Sequence, residues 1–528
     1  MYAEGCECRM LYDSTQLHQL LFEYMSTEEL KIPCRSQADV STGDEYAFGF
    51  VQQDKIRVTL RARGQRLSGN VLGGDLFLIP PGSACTFDNL SANHTAALVV
   101  IRFQCVPKKL HVLPASPLPI FAERLELIRF RIPQVRSWIQ DFIGDSGDDA
   151  AHYYQLQSHL YGLAAAYMTT IQKPKQPEAE LLDYVEQTRQ YMVERYNNPF
   201  DMEEIARLSG GGSSRFYQAF RRHTGLSPHK YMTKIRLDMS LSLLADSSLP
   251  ILDVAHSVGY PDEYYFSRLF KKHMGMSPTE YALSARRKIA CLAPIFLGDL
   301  SVLGITPHLV LERGWWEAPE EGLRKVAEEA PELIFIPPVT DDVHRALSRI
   351  APVVMLDWKR YSWKERLLDI SRALDISTVA ERWLSYFEVK TENARYLVRK
   401  RLGDESVLLV NASGLGFRVF GMQMRKMKDL FYDDLQVTPP ALVRNMSFLD
   451  VASVQGLSEL DSDHVVFLVD IADSEDRCAE LEHHWRSLNR DRPKKNCFFI
   501  RTRQPLMNNA AVHESLVDQM VSHLVQYT

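Results

Sequence analysis

Cysteine is scarce: eight in 528 residues, with no Cys-x-x-Cys and a lone Cys6-x-Cys8 pair. This excludes a disulfide scaffold or a thiolate zinc module, and fits free thiols in a reducing compartment. No apolar run approaches the roughly 18 residues that a membrane-spanning helix needs. Met1-Tyr2-Ala3-Glu4-Gly5-Cys6 carries neither the basic nor the apolar region of a secretory signal, so a cytoplasmic protein without a membrane partner is expected. Charge of one sign is also missing: 61 basic against 67 acidic residues give −6, so a nucleic-acid site has to be a local patch.

What is present is ordinary globular material, 45% hydrophobic and 24% charged, enough for several cores. At about 100 to 200 residues per domain, three or four domains are expected. Between Ala47 and Cys105 short β-rich runs alternate with turns, among them the runs 71–82 and 96–103, and predict a small sandwich or barrel within a domain 1–130. A helical connector follows over 131–177, where Leu156, Leu160, Leu163, Tyr167 and Ile171 recur at helical steps. That stripe either packs on its own sandwich or forms a homodimer contact. Lys173-Pro174-Lys175-Gln176-Pro177 reads as a linker.

Residues 201–231 and 250–281 repeat one another. Ile205-Ala206-x-x-Ser209-Gly210 and Phe216-x-x-x-Phe220-Arg221-Arg222-His223-Thr224-Gly225-Leu226-Ser227-Pro228 answer to Val254-Ala255-x-x-Val258-Gly259 and Phe266-x-x-x-Phe270-Lys271-Lys272-His273-Met274-Gly275-Met276-Ser277-Pro278. Each copy predicts a short helix, a glycine turn and a second helix, with Ser213 and Asp262 as the expected N-caps. The paired phenylalanines bury one face and leave the other free, the arrangement of a helix-turn-helix whose second helix enters the major groove. Basic residues crowd both copies: Arg215, Arg221, Arg222, Lys230, Lys234 and Arg236 in the first, and Arg268, Lys271, Lys272, Arg286, Arg287 and Lys288 in the second. Such side chains neutralise phosphates.

On these residues, about 181–287 of a domain 178–287 resemble the DNA-binding domain of the AraC family of bacterial transcription regulators. Two departures stand out: Ala282 where the family often has arginine, and Gly210-Gly211-Gly212 in the first turn. The resemblance implies double-stranded promoter DNA and RNA polymerase as partners, a DNA site of about two helical turns per monomer, and an all-α domain of two helix-turn-helix units. It places the DNA-contacting residues at Ser213, Ser214, Arg215, Gln218 and Arg222 in the first unit. In the second they are Glu263, Tyr264, Ser267, Arg268, Lys271 and Lys272. Gly74-Asp75-x-x-x-Ile79-Pro80-Pro81-Gly82 is similar to the cupin-type sensor domain common in that family. Cys85 stands where many cupins have a histidine, and with His94 and His111 as the remaining candidates a structural or dimerising role is expected.

From Lys288 strands and helices alternate, with strands expected at Ile289–Ala293, Pro307–Glu312, Leu333–Ile336, Val353–Asp357, Val407–Val410, Val465–Val469 and Cys497–Ile500. A helix over 377–402 joins a lobe 288–376 to a lobe 403–528, giving a multidomain α and β chain that ends in a bilobal α/β domain. These features, with stretches such as 298–307 and 456–464, resemble the siderophore- and cobalamin-type substrate-binding proteins of bacterial import. Ligands of open α/β sheets bind beyond the carboxyl ends of strands. Those ends carry Arg313, Trp315, Trp316, Trp358, Lys359, Arg360, Tyr361, Phe417, Arg418, Arg501 and Arg503. Cations among aromatic faces suit a large anionic aromatic ligand, and a ferric tris-catecholate fits. The alternative is that the tryptophans cover lobe core and the arginines are solvated. The expectation is a transcription activator with an imported ferri-siderophore as effector, no cofactor, no metal ligand of its own and no enzymatic motif such as Gly-x-Ser-x-Gly or His-Glu-x-x-His. A hydroxamate or citrate siderophore, cobalamin or haem stay open as effectors, and an enzyme acting on a metal chelate is the remaining alternative.

Overall fold

The computed structural model describes residues 20–62, 64–107, 125–145, 147, 149–172, 177–246, 249–357, 362–413, 416–423, 428–492, 495–503 and 506–526. The chain divides into two compact units, the residues up to Tyr191 with Asp201–Ala219, and Met192–Phe200 with Phe220–Thr528. The boundary passes through the helix Ser213–Thr224.

In the first unit, β7 (Ala84–Asn89) alternates outward with buried residues and β4 (Lys55–Ala62) does so at its start, each having one face in a core, whereas Tyr46–Val51 and Leu76–Ile79 are buried along their whole length. Strands β1 (Leu20–Ile32), β8 (Ala96–Pro107), β3 (Tyr46–Val51), β6 (Leu76–Ile79) and β9 (Arg129–Phe130) form one antiparallel sheet in that order. A second runs β2 (Gln37–Ser41), β7, β4 and β5 (Gln65–Leu72). Val58, Leu60, Phe77, Phe87 and Val100 fill the core between them. The Pro80-Pro81-Gly82 turn joins β6 to β7, with Gly82 at φ +69°. Cys85 is 1% exposed, part of the sandwich core, and burial pushes its thiol pKa upward. His94 is exposed, and His111 lies outside the described residues.

The helical connector expected over 131–177 begins with two helices, Val135–Ile143 and Ala150–Gln172, because Gly144 ends the first and Gly147 turns at φ +75°. The leucine stripe is covered by its own sandwich. Leu156, Leu160 and Leu163 have no exposed surface, and Tyr167 sets its ring edge-on to Phe48 at 6.1 Å and Phe130 at 5.6 Å. Three leucines so buried stabilise the docking by about 1.5–3 kcal/mol each. The Tyr24 amide donates to Gln157 Oε1 at 3.0 Å, which fixes the helix on β1.

In the second unit, β11 (Leu309–Val310), β10 (Ile289–Cys291), β12 (Leu333–Ile336) and β13 (Val353–Met355) form a wholly parallel sheet. The other lobe orders β16 (Phe448–Val451), β15 (Gly416–Phe420), β14 (Val407–Ser413), β17 (His464–Asp470) and β18 (Cys497–Thr502), parallel across β14, β17 and β18 and antiparallel at the β15–β16 edge. β12 and β17 are buried on both faces, as parallel strands under helices should be. Ser377–Leu402 is one continuous helix, about 39 Å long at 1.5 Å per residue. Its Val379, Ala380, Trp383, Phe387, Ala394 and Val398 face the core at helical spacing. That core is continuous from Leu237 and Phe266 through both lobes to Val521, so the second helix-turn-helix and the two-lobed domain share one hydrophobic interior.

Charge fastens the same junction. Lys234 Nζ lies 2.8 Å from Asp238 and 3.5 Å from Glu514, while Lys390 Nζ lies 2.9 Å from Glu514 and 3.0 Å from Asp518. Arg382 Nη1 meets Asp238 at 2.7 Å. Burial alone would raise the Glu514 carboxyl, but the two lysines outweigh it and hold its pKa at about 2.

Candidate nucleic-acid interface and the two-lobed domain

The first copy of the repeat folds as Met202–Leu208 and Ser213–Thr224, the second as Ile251–Ser257 and Glu263–Met274. Asp201 caps the first of these helices, accepting from the Glu204 amide at 2.9 Å. Asp262 caps the second recognition helix by accepting from the Tyr265 amide. Ser213 is not a cap: it is the first helical residue, and Gly212, at φ +77°, holds the place of Asp262 and takes the Phe216 amide on its carbonyl at 3.1 Å. One orphan amide that a side chain satisfies in the second copy is thus left to solvent or to DNA in the first.

Phe216, Phe220, Phe266 and Phe270 are fully buried. On the opposite faces Ser213, Ser214, Arg215, Gln218 and Arg222 are exposed, as are Tyr264, Arg268, Lys271 and Lys272, with Glu263 and Ser267 half-buried. Tyr264 is 79% exposed. Arg268, Lys271 and Lys272 are exposed, and Lys271 lies close enough to Glu280 to help lower its pKa, behind the hydrogen bonds that Glu280 makes with Ser277. Several other basic residues of the two clusters are engaged with the protein itself. Lys234 sits in the half-buried charge network, Arg236 bonds three carbonyls, Arg286 bonds Leu244 O at 2.9 Å, and Arg287 pairs with Asp375. The phosphate-facing charge is therefore smaller than the sequence count.

The residues proposed for the two-lobed domain fall into distinct roles. Trp315 donates Nε1–H to Leu292 O at 2.7 Å and packs over Gly322, so its ring closes the lobe core. Trp316, set edge-on to it at 6.4 Å, is 38% exposed, and Arg313 beside it is exposed. Phe417 lies 6.1 Å from Phe467 against the second lobe's core. Arg418 forks onto Asp450 at 2.7 and 2.9 Å and covers the Phe448 ring at 4.5 Å, and that bidentate bond lowers the Asp450 pKa. Arg501 bonds the carbonyls of Ile471 and Asp473, and Arg503 is exposed. Trp358, Lys359, Arg360 and Tyr361 lie outside the described residues. Sequence reasoning missed Phe448 and Asp450, because the segment after Phe420, with Pro439-Pro440, reads as a loop; Phe448-Leu449-Asp450-Val451 was the available signal. Among the described residues no group of three metal-ligating side chains comes together.

The family model for a helix-turn-helix domain matches residues 205–284, both copies of the repeat. This is an AraC-type helix-turn-helix domain. The AraC-type domain has relatives among transcription regulators. The HTH-type transcriptional activator Btr of Bacillus subtilis is 23% identical over 264 residues, a stretch covering 46% of this chain and 48% of that protein. The chain thus spans about half the length of that relative. The raffinose operon regulatory protein RafR of Pediococcus pentosaceus is 24% identical over 269 residues, covering 49% of this chain and 91% of RafR. Among solved structures, FeuA of Bacillus subtilis, a triscatecholate siderophore binding protein complexed with ferri-bacillibactin, aligns with a TM-score of 0.36 at 16% identity, covering 46% of this chain and 93% of its own. FhuD2 of Staphylococcus aureus with bound ferrioxamine B has a TM-score of 0.36 at 16% identity, covering 45% and 98%. Among the described residues no helix is long and apolar enough to cross a membrane.

Proposed function

We propose that this chain is a cytoplasmic transcription activator that binds promoter DNA through its AraC-type domain. Its two-lobed domain takes an imported ferri-siderophore of the catecholate class, and ligand binding raises transcription of uptake genes with RNA polymerase as partner. The sandwich, read as cupin-like, serves as scaffold. One observation carries the proposal: the recognition helix Glu263–Met274 presents Tyr264, Arg268, Lys271 and Lys272 to solvent while its Phe266 and Phe270 belong to the core that runs through both lobes. A ligand that favours one arrangement of that core biases the helix, and by linkage DNA tightens the ligand by the same factor. Exposed Arg313, Trp316 and Arg503 support an anionic aromatic ligand.

The test uses the full chain, because a cut at Lys288 would strip Tyr281, whose hydroxyl donates to Leu303 O at 2.6 Å, and Leu241 from the lobe core. Calorimetric titration with ferric catecholate, ferric hydroxamate and the iron-free forms should give tight binding for the ferric catecholate alone. The same ligand should tighten a promoter duplex in a mobility-shift assay. Silence from all of them refutes the siderophore reading, and tight hydroxamate binding moves the ligand class.

A further inference from the structure

A sharp turn between two helices leaves carbonyls at the end of the first helix without amide partners, and it needs a glycine where φ is positive. Both turns of the repeat set a guanidinium against the turn glycine, and in each that guanidinium bonds carbonyls near it, Gly259 O in the second and Leu208 O in the first. In the second unit the guanidinium comes from within the DNA-binding domain. Arg236, on the helix Pro228–Asp246, donates Nη1–H to Gly259 O at 3.0 Å, Nε–H to Tyr196 O at 2.8 Å and Nη2–H to Asn198 O at 2.8 Å. Gly259 has φ +82°, and a methyl group on it would stand 2.9 Å from Arg236 Nη2. Arg236 also covers the Tyr260 ring at 5.1 Å, and that ring packs on Tyr265 and Phe266 of the recognition helix.

In the first unit the preceding helix Pro177–Glu194 reaches the short helix through Tyr184, whose hydroxyl donates to Ile205 O at 2.9 Å. The guanidinium on Gly210 belongs to Arg131, which follows the sandwich strand β9. Arg131 donates Nη1–H to Leu208 O at 2.7 Å, and a methyl group on Gly210, at φ +75°, would stand 2.4 Å from that nitrogen. Its other edge is held by Asp75, which is 3% exposed, with Nε at 2.7 Å and Nη2 at 2.6 Å from Oδ1. Asp75 Oδ2 is itself oriented by the Leu72 amide at 2.8 Å. Gly74, at φ +91°, packs directly on Leu208, where a side chain would reach the leucine at 2.9 Å. Arg136 pairs with Glu204 on the same short helix.

We infer that Arg131 is a positioning residue for the first DNA-reading helix, and that the N-terminal sandwich completes the first helix-turn-helix by supplying the guanidinium that the second unit supplies for itself. The sandwich is then part of the reading head, and Gly210, the first of the three turn glycines, is the place where this guanidinium packs. The inference rests on the DNA-binding reading. An arginine that merely stabilised the fold would weaken both halves of a DNA site alike; a positioning arginine weakens one.

The experiment uses the full chain and duplexes that the wild-type protein selects from a random library, with half-sites assigned by Gln218→Ala for the first unit and Arg268→Ala for the second. Arg131→Ala should bind at least tenfold more weakly and lose base discrimination in the half assigned by Gln218, keeping it in the half assigned by Arg268. Arg131→Lys, which retains one donor and the charge, should recover part of the loss, and Asp75→Asn, should the alanine variant not fold, should lose in the same half. Without DNA, amide exchange should quicken over residues 209–215 and stay unchanged over 258–265. Equal loss in both halves, no loss, or unchanged exchange over 209–215 overturns the inference. A wild-type protein that selects no duplex overturns the DNA reading instead, and the exchange result still judges Arg131.

Discussion

Replacing Glu514 by glutamine removes one negative charge from between two half-buried lysines. Lys390 Nζ at 2.9 Å and Lys234 Nζ at 3.5 Å would then rely on Asp518 and Asp238. The magnitude follows from the carboxyl's displacement, from an ordinary 4.5 to about 2. At about 1.4 kcal/mol per pH unit of displacement this is roughly 3 kcal/mol of folded-state stabilisation, in line with the 3–5 kcal/mol lost when a buried pair is broken. Because the folded carboxyl lies below its unfolded value, the stabilisation is fully present above about pH 4.5 and disappears as the pH falls through about 2. Glu514→Gln should therefore lower the urea midpoint at pH 7, and the gap to wild type should close as the pH drops from 5 towards 2. Intrinsic tryptophan fluorescence is a suitable probe, since six of the seven tryptophans, all but Trp138, lie beyond residue 300. A glutamine variant as stable as wild type at pH 7, or a gap that persists at pH 2, would refute the assignment of Glu514 as the ionised centre of this junction.

Leu160→Ala should lower stability by about 2–5 kcal/mol, through lost burial and the cavity left under the sandwich sheet, while leaving ligand binding by the two-lobed domain unchanged; differential calorimetry reads it, and a small shift would mean that the helix Ala150–Gln172 is not clamped on its own sandwich. Lys271→Ala should reduce the slope of log affinity against log salt by about 0.9 with little change in base preference, as expected of a phosphate contact; an unchanged slope in mobility-shift titrations places Lys271 away from the DNA backbone.

The parts of the molecule legible in the sequence are those fixed by neighbours in the chain. The repeat exposed its paired phenylalanines, the apolar spacing over 377–402 gave the linking helix its bounds, and β12 was readable because a strand buried on both faces is an unbroken apolar run. What escaped reading depends on partners far apart in sequence. Nothing near Lys234 or Arg236 distinguishes them from Arg268, yet the first is held by Glu514, 280 positions on, and the second by carbonyls of residues 196, 198 and 259. A basic cluster thus predicts the sum of two uses, phosphate contact and internal stapling, and burial alone separates them. Gly210 shows the same limit: it reads as part of a loose turn until the guanidinium of Arg131, 77 positions before Leu208, is seen packed against it. Cβ-less residues mark where a partner approaches closely, but the sequence names the gap and not what fills it.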